Sequence, residues 1–138
     1  MALSDSIKKA INRKLPAVDL EDSLETALKA MADNETSALV VKLRDVLVGI
    51  ITDMDIIRSI ANKDDLQKTM VSSFMSACEL ISDKSVATPC VQLDEDQDVL
   101  SALQIMDEAG VHHLLVSNGG EEPVGMVSIL DLLKLASS

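Results

Sequence analysis

Two stretches of this chain repeat each other in register, and that repeat limits the folds open to it. Residues 24–31 read Leu-Glu-Thr-Ala-Leu-Lys-Ala-Met and residues 99–106 read Val-Leu-Ser-Ala-Leu-Gln-Ile-Met, so Ala27, Leu28 and Met31 recur as Ala102, Leu103 and Met106 at an offset of 75. The same offset aligns Ser37 to Val41 with His112 to Val116. After one inserted residue, the run Gly49 to Asp55 matches Gly125 to Asp131 at an offset of 76, keeping the Gly, the hydroxyl and the final Asp. Pro16 and Pro89 differ by 73, so the segment before each first helix aligns less securely. A unit of about 50 residues has an apolar face that it cannot bury alone. Two copies packed with pseudo-two-fold symmetry can bury it, which leaves a pair of equivalent clefts at their junction.

Each copy reads in the order β-α-β-β-α. A short extended segment (16–20; 89–93) precedes a helix (about 23–33; 98–109). In the first copy Leu24, Ala27, Leu28 and Met31 fall at i, i+3, i+4 and i+7, one face of a helix. Asp22 with Glu25 resembles a capping box at its start. Two strands follow (38–42 and 46–51; 113–117 and 123–128). The second pair is joined by Asn118-Gly119-Gly120, a hairpin signal. A final helix begins at Thr52 or Ser128. The expected class is mixed α/β (α+β), organised as an N-terminal segment with the first repeat (1–62), a connector (63–86) and the second repeat (87–138). Leu66, Met70 and Phe74, at i, i+4 and i+8, predict a helix in the connector.

Composition narrows the chemistry. The chain has one Phe, no Tyr and no Trp, so it lacks the rings on which single-stranded bases stack. Its net charge of −11 repels nucleic acid and anionic membrane surfaces. Residues 1–68 carry 10 bases and 12 acids, and residues 69–138 carry 2 bases and 11 acids, so the deficit sits in the second half. Cys78 and Cys90 fit neither a metal quartet nor a disulfide scaffold and read as inert buried thiols. No secretion signal and no membrane-length apolar run is visible, so a cytoplasmic setting is expected.

The chemistry concentrates in the repeated Gly-φ-φ-Thr/Ser-x-x-Asp. It sits where a strand ends and a helix starts. The first amides of a helix lack intrahelical partners and carry the positive end of the dipole, so they can receive phosphate. Thr52 and Ser128 add a hydroxyl; Asp55 and Asp131 lie one turn on; Arg58 and Lys134 lie a further turn along the same face. A carboxylate there can accept two hydrogen bonds from a ribose diol. Gly49 and Gly125 admit either a ligand or a neighbouring backbone. The same Thr/Ser-x-x-Asp is also an ordinary capping box.

Those residues resemble a tandem pair of CBS domains, the cystathionine-β-synthase-type repeat that pairs into a Bateman module. GIITDMDIIR and GMVSILDLLK carry the likeness, within about residues 14–62 and 87–136. The resemblance implies a non-catalytic regulatory module with no obligatory cofactor. It would bind an adenine nucleotide (AMP, ADP or ATP) or an adenosyl ligand in the inter-repeat clefts, form a homodimer and signal to an unknown regulated protein. By the same resemblance Asp55 and Asp131 hold ribose, and Thr52 and Ser128 contact phosphate or ribose oxygens. The segments near Ala17 and Cys90 meet adenine, and Ser37 or His112 points toward phosphate. A structural or protein-interaction module with unoccupied clefts is the alternative. Ser37 stands where the family often places a base. The second half is strongly acidic, so the first cleft, with Arg58 and a nearly neutral half around it, is expected to bind phosphate better than the second.

Other clusters carry less. His112 and His113 are adjacent on a strand and face opposite ways, so they cannot chelate one metal together. The run Asp94 to Asp98 begins like a calcium loop but has Val99 and Ile105 where Gly and Glu are needed, and reads as a solvated helix start. No catalytic constellation stands out, and the seven Met are packing residues, Met31 and Met106 at matched core positions.

Overall fold

The computed structural model of the chain describes residues 2–77, 92–119 and 122–138. Cys78, Pro89 and Cys90, with the readings attached to them, lie outside the described residues. The chain is a mixed α/β protein in two compact units. The first unit is Pro16–Cys90; the second is Met1–Leu15 together with Val91–Ser138.

In the first unit β1 (Ala17–Asp19), β2 (Ala38–Leu43), β3 (Val46–Thr52) and β4 (Ser76–Ala77) form one sheet in that order. α1 (Leu24–Asp33) lies between β1 and β2, and α2 (Asp53–Ala61) follows β3. In the second unit β5 (Gln92–Asp94), β6 (His113–Ser117) and β7 (Pro123–Ser128) form the sheet, with α3 (Val99–Ala109) and α4 (Ile129–Ala136) in the matching places. The β-α-β-β-α order is that of the sequence reading. Ala17 pairs with Val40 and Gln92 with Leu115, so the first strands align at 75, not at the proline offset of 73. A register shift falls at Val41/Lys42 and again at Val116/Ser117, so even the bulge repeats.

The cores repeat residue by residue. Val18, Leu24, Ala27, Met31, Leu39, Val41, Ile51 and Ile56 in the first unit answer to Leu93, Val99, Ala102, Met106, Leu114, Val116, Val127 and Leu132 in the second. Leu28, expected on the buried face of α1, is 42% exposed. The helix presents a stripe narrower than the sequence pattern suggested.

The remaining buried pair is Val71 and Ile7, both fully buried. They begin two short 3₁₀ turns, Val71–Ser73 and Ile7–Ala10, whose positions differ by 64. The predicted connector helix through Leu66, Met70 and Phe74 is therefore absent. The segment instead supplies carbonyls to the start of α1: Leu24 N donates to Thr69 O (2.8 Å) and Glu25 N to Leu66 O (3.1 Å), while Val71 N donates to Asp22 O (2.8 Å). The N-terminal segment does the same for α3: Val99 N donates to Asp5 O, Leu100 N to Leu3 O, and Ile7 N to Gln97 O, each at 3.0 Å. A helix start has four amides without intrahelical partners, and these segments satisfy two of them in each unit. Asn12 then bridges antiparallel to Met126 of β7, as β4 pairs with β3. The N-terminal segment thus belongs to the core of the second repeat, although it precedes the first in sequence.

Gly49 and Gly125 are explained by that pairing. A Cβ at Gly49 would lie 2.6 Å from Ser76 O, and one at Gly125 would lie 2.8 Å from Asn12 O. Backbone, not ligand, makes the close approach. The first hairpin turns at Arg44 (φ 51°) and Asp45 (φ 66°), two successive left-handed residues that suit a two-residue turn without glycine.

Crossing segments also redistribute charge. Counted over the two spans, the first unit carries 7 bases and 13 acids and the second 5 bases and 10 acids, so they are nearly equal at −6 and −5. The lopsided halves of the sequence do not survive folding. Nor is the run Asp94 to Asp98 simply solvated. Lys8 Nζ lies 3.0 Å from Asp96 Oδ1, and Arg13 NH1 lies 3.1 Å from Glu95 Oε2. The Asp96 carboxylate beside Lys8 holds that ammonium above its ordinary pKa, by hydrogen bond and by charge.

The cap of α1 comes from the residue after the expected one. Ser23, not Asp22, caps α1, accepting from Thr26 N at 3.1 Å; Asp22 accepts from Asp19 N instead. Asp98 caps α3, accepting from Ser101 N at 2.8 Å. The Ser101 backbone amide and then its hydroxyl hold the Asp98 carboxyl below its usual range. A depressed folded pKa gives stability that is present above the unfolded value and lost as pH falls through the folded one. The melting temperature should therefore drop below about pH 4 more steeply in the wild type than in Asp98→Asn. Parallel curves would contradict the cap. Asp98→Ala, which removes the acceptor of Ser101 N, should lower the denaturant midpoint at neutral pH.

Candidate functional site

Both motif turns form as strand-to-helix junctions, but their polar groups are used differently. β3 ends at Thr52 and α2 begins at Asp53. The Asp55 carboxylate turns back on this junction: Oδ2 accepts from Thr52 N (2.9 Å) and from Thr52 Oγ1 (3.3 Å). Its other oxygen, Oδ1, accepts from Arg58 NH1 at 2.9 Å. Asp55 is 4% exposed, a buried acid whose lone pairs are shared among a backbone amide, a hydroxyl and a guanidinium. The Arg58 side chain itself is 63% exposed.

The first junction is a full capping box, since the Thr52 side chain also faces the Asp55 amide; the second keeps one half of it. The Ser128 hydroxyl accepts from Asp131 N at 3.2 Å, and no ion pair within 4.0 Å joins Asp131 to Lys134. Asp131 is half-buried and Lys134 exposed. Lys134 is a residue too flexible and too strongly hydrated to lock onto its neighbour as a planar guanidinium does.

The helix amides are less open than the sequence suggested. Asp53 N donates to Ser37 O and Ile129 N to His112 O, each at 2.9 Å. Met54 N donates to Asp53 Oδ1 at 2.8 Å. With these engaged, a phosphate at the first turn falls to the side chains; at the second, Ile129 N and Asp131 N are engaged in the same way. Ser37 and His112 lie beside the motif turns through these carbonyls; Ser37 is half-buried and His112 exposed. His113 is half-buried, and neither histidine enters a core. Ala17 opens β1 and is exposed. Cys90 lies outside the described residues. Among the described residues no group of three His, Cys, Asp or Glu could hold a metal ion, and no helix is long and apolar enough to cross a membrane.

A groove of about 510 Å³ lies in the second unit, lined by Lys9, Ala10, Ile11, Asn12, Asp131, Lys134, Leu135 and Ser138. One wall is the face of α4 that carries the motif acid and base. The other is the N-terminal segment, which the motif reading did not include. The sequence signal for that wall is faint: Ile7 and Ile11 repeat the spacing of Val71 and Met75. A volume in the range of about 300–1,000 Å³ suits a small organic ligand.

Comparison with known proteins bears on the family and the fold. The family model described as CBS domain matches residues 7–62 and 81–138. An uncharacterized protein of Methanopyrus kandleri is 24% identical over 115 residues, covering 83% of this chain and 54% of that protein, so the chain spans about half the length of that curated relative. An uncharacterized conserved protein from Pyrococcus horikoshii has the same fold, with a TM-score of 0.80 at 24% identity over 100% of this chain and 96% of that one. A Pyrobaculum aerophilum protein solved in complex with AMP gives a TM-score of 0.75 at 20% identity, over 97% of this chain and 100% of that one. At these identities the two solved structures bear on the fold alone.

Proposed function

The chain belongs to the CBS-domain family, and on that premise we propose that it is a non-catalytic regulatory module that binds an adenine nucleotide at its motif turns and signals to a partner protein. The observation that carries this reading is the groove that holds Asp131 and Lys134 together, an acid suited to a ribose diol beside a base suited to phosphate. Ser128 adds a hydroxyl at the same turn. AMP in the Pyrobaculum aerophilum relative supports the choice of nucleotide. At the first turn Thr52, Asp55 and Arg58 form the equivalent set, and binding there must displace the Arg58 to Asp55 pair. Contacts of Ser37 and His112 with phosphate, and of the segments near Ala17 and Cys90 with adenine, belong to the same proposal, as does a cytoplasmic setting.

Thermal unfolding with AMP, ADP, ATP, S-adenosylmethionine and NAD tests it. A ligand present at 100 times its dissociation constant should add about 2.7 kcal/mol to the folded state, and Asp131→Asn should abolish the gain. No response to any of the five would favour the second reading, an interaction module with unoccupied clefts. The internal satisfaction of Asp55 is the observation on its side.

We further propose a homodimer. Met54 and Ile57 on α2 are 47% and 50% exposed, and their counterparts Leu130 and Leu133 on α4 are 58% and 49% exposed. The same apolar pair, left bare on both repeats, suits an isologous contact. Light scattering should give twice the chain mass of 14.8 kDa. Ile57→Glu combined with Leu133→Glu should bring it down to one chain. A wild-type mass of one chain would refute the dimer.

A further inference from the structure

The two units differ at the wall opposite the motif helix, and the difference says which of them can hold a phosphate. Counting by the packing repeat, Lys9, Ala10 and Asn12 of the N-terminal segment stand where Ser73, Phe74 and Ser76 stand in the first unit. Asp131, Lys134, Leu135 and Ser138 of α4 stand where Asp55, Arg58, Ser59 and Asn62 stand. In the first unit the α2 groups are satisfied by each other or by Asp64. Arg58 pairs with Asp55, Ser59 Oγ donates to Asp64 Oδ2 at 3.0 Å, and Asn62 Nδ2 donates to Asp64 Oδ1 at 2.9 Å. Phe74 packs against the core where the second unit has the small Ala10.

In the second unit the acid and the base of α4 are not paired with each other, and the Ser138 hydroxyl donates to Lys134 O at 3.3 Å. Lys9 and Lys134 line one groove, and neither has an ion-pair partner within 4.0 Å among the described residues. Lys8 and Arg13, which flank Lys9 along the segment, are spent on Asp96 and Glu95. Asn12 uses its side-chain oxygen on Lys14 N (3.1 Å), which leaves its amide NH₂ as a donor.

We infer that the second unit, not the first, is the phosphate-binding half of this protein, and that Lys9 of the N-terminal segment supplies a second cation beside the motif's Lys134. The inference rests on the adenylate reading for the rest of the ligand. Asp131 takes the sugar hydroxyls, and Lys9 and Lys134 share the phosphate, with the Asn12 amide as a further donor. Two ammonium groups balance one phosphate monoester, which carries about −1.5 to −2. A triphosphate brings more charge than they balance into a unit whose net charge is already −5. A nucleoside monophosphate is therefore the preferred ligand class.

Lys9 is exposed, so Lys9→Gln leaves the fold intact. Calorimetric titration should show AMP binding weakened about tenfold in Lys9→Gln, as befits one charge-assisted contact at a partly open site. Adenosine affinity should not change, and the wild type should bind ATP more weakly than AMP. Nuclear magnetic resonance with inorganic phosphate separates this claim from the adenylate reading. Phosphate that shifts the Lys9 and Lys134 signals, in a protein that ignores AMP, would keep the anion site and overturn the adenylate reading. AMP bound equally by wild type and Lys9→Gln, but lost in Asp131→Asn, would keep the adenylate reading and overturn the role of Lys9. Silence to both probes would overturn both.

Discussion

Ile7→Ala should destabilise the second unit by about 2–5 kcal/mol, the range for truncating a large aliphatic side chain in a core, and leave the first unit unchanged. The side chain is fully buried among Leu93, Val99, Leu114 and Leu132. The alanine would leave a cavity under the sheet of β5 to β7, and the backbone on either side, held by Val99 N to Asp5 O and Asn12 N to Met126 O, limits its collapse. Hydrogen exchange read by mass spectrometry is the suitable measurement, because it separates the units. Protection should fall across β5 to β7 and stay at its wild-type level across β1 to β3. A loss below about 0.5 kcal/mol, the ordinary scatter of surface changes, would mean that the segment is a tail.

Gly125→Val should cost at least about 2 kcal/mol, toward the upper end of overpacking penalties. Any Cβ at this position meets the Ile11 side chain and the Asn12 carbonyl, and the latter is backbone that cannot swing away. The strand must release Asn12, whose amide and carbonyl both bond to Met126 (2.8 and 2.9 Å). Trypsin should then cut at Lys8, Lys9, Arg13 and Lys14 faster than in the wild type. Gly49→Val should act in the same way against Ser76 in the first unit. A valine protein as resistant to trypsin and as stable as the wild type would show that these glycines serve something other than the backbone contact.

Ile7 and Gly125 both contact the part of the fold hardest to see in the sequence. The offsets of 75 and 76 were visible because they run through uninterrupted helix and strand patterns. The third offset, 64, joins Ile7 to Val71 across segments that share almost no residue identity, since their work is done by carbonyls. Leu66, Met70 and Phe74 showed helical spacing, yet Thr69 and Leu66 spend their carbonyls on α1. A periodicity of three residues cannot report which partner the backbone will choose. At the candidate site, Asp55 and Asp131 were legible as a matched pair, and so were their bases. That Arg58 would close on Asp55 while Lys134 stayed apart from Asp131 was not, because it depends on the guanidinium geometry and on what packs opposite.

The sequence alone determined the repeat, the β-α-β-β-α order, the paired cores and the two motif turns, since each follows from local periodicity and chain-local chemistry. Only the tertiary structure decided that each repeat is completed by the segment preceding the other in the chain. That crossing evens the charge of the two units, turns both glycines into backbone contacts and brings Lys9 to the groove of Asp131. The physical reason is that helix-start amides and an open sheet edge must find partners, and nothing in the linear order of residues says from how far away those partners will come.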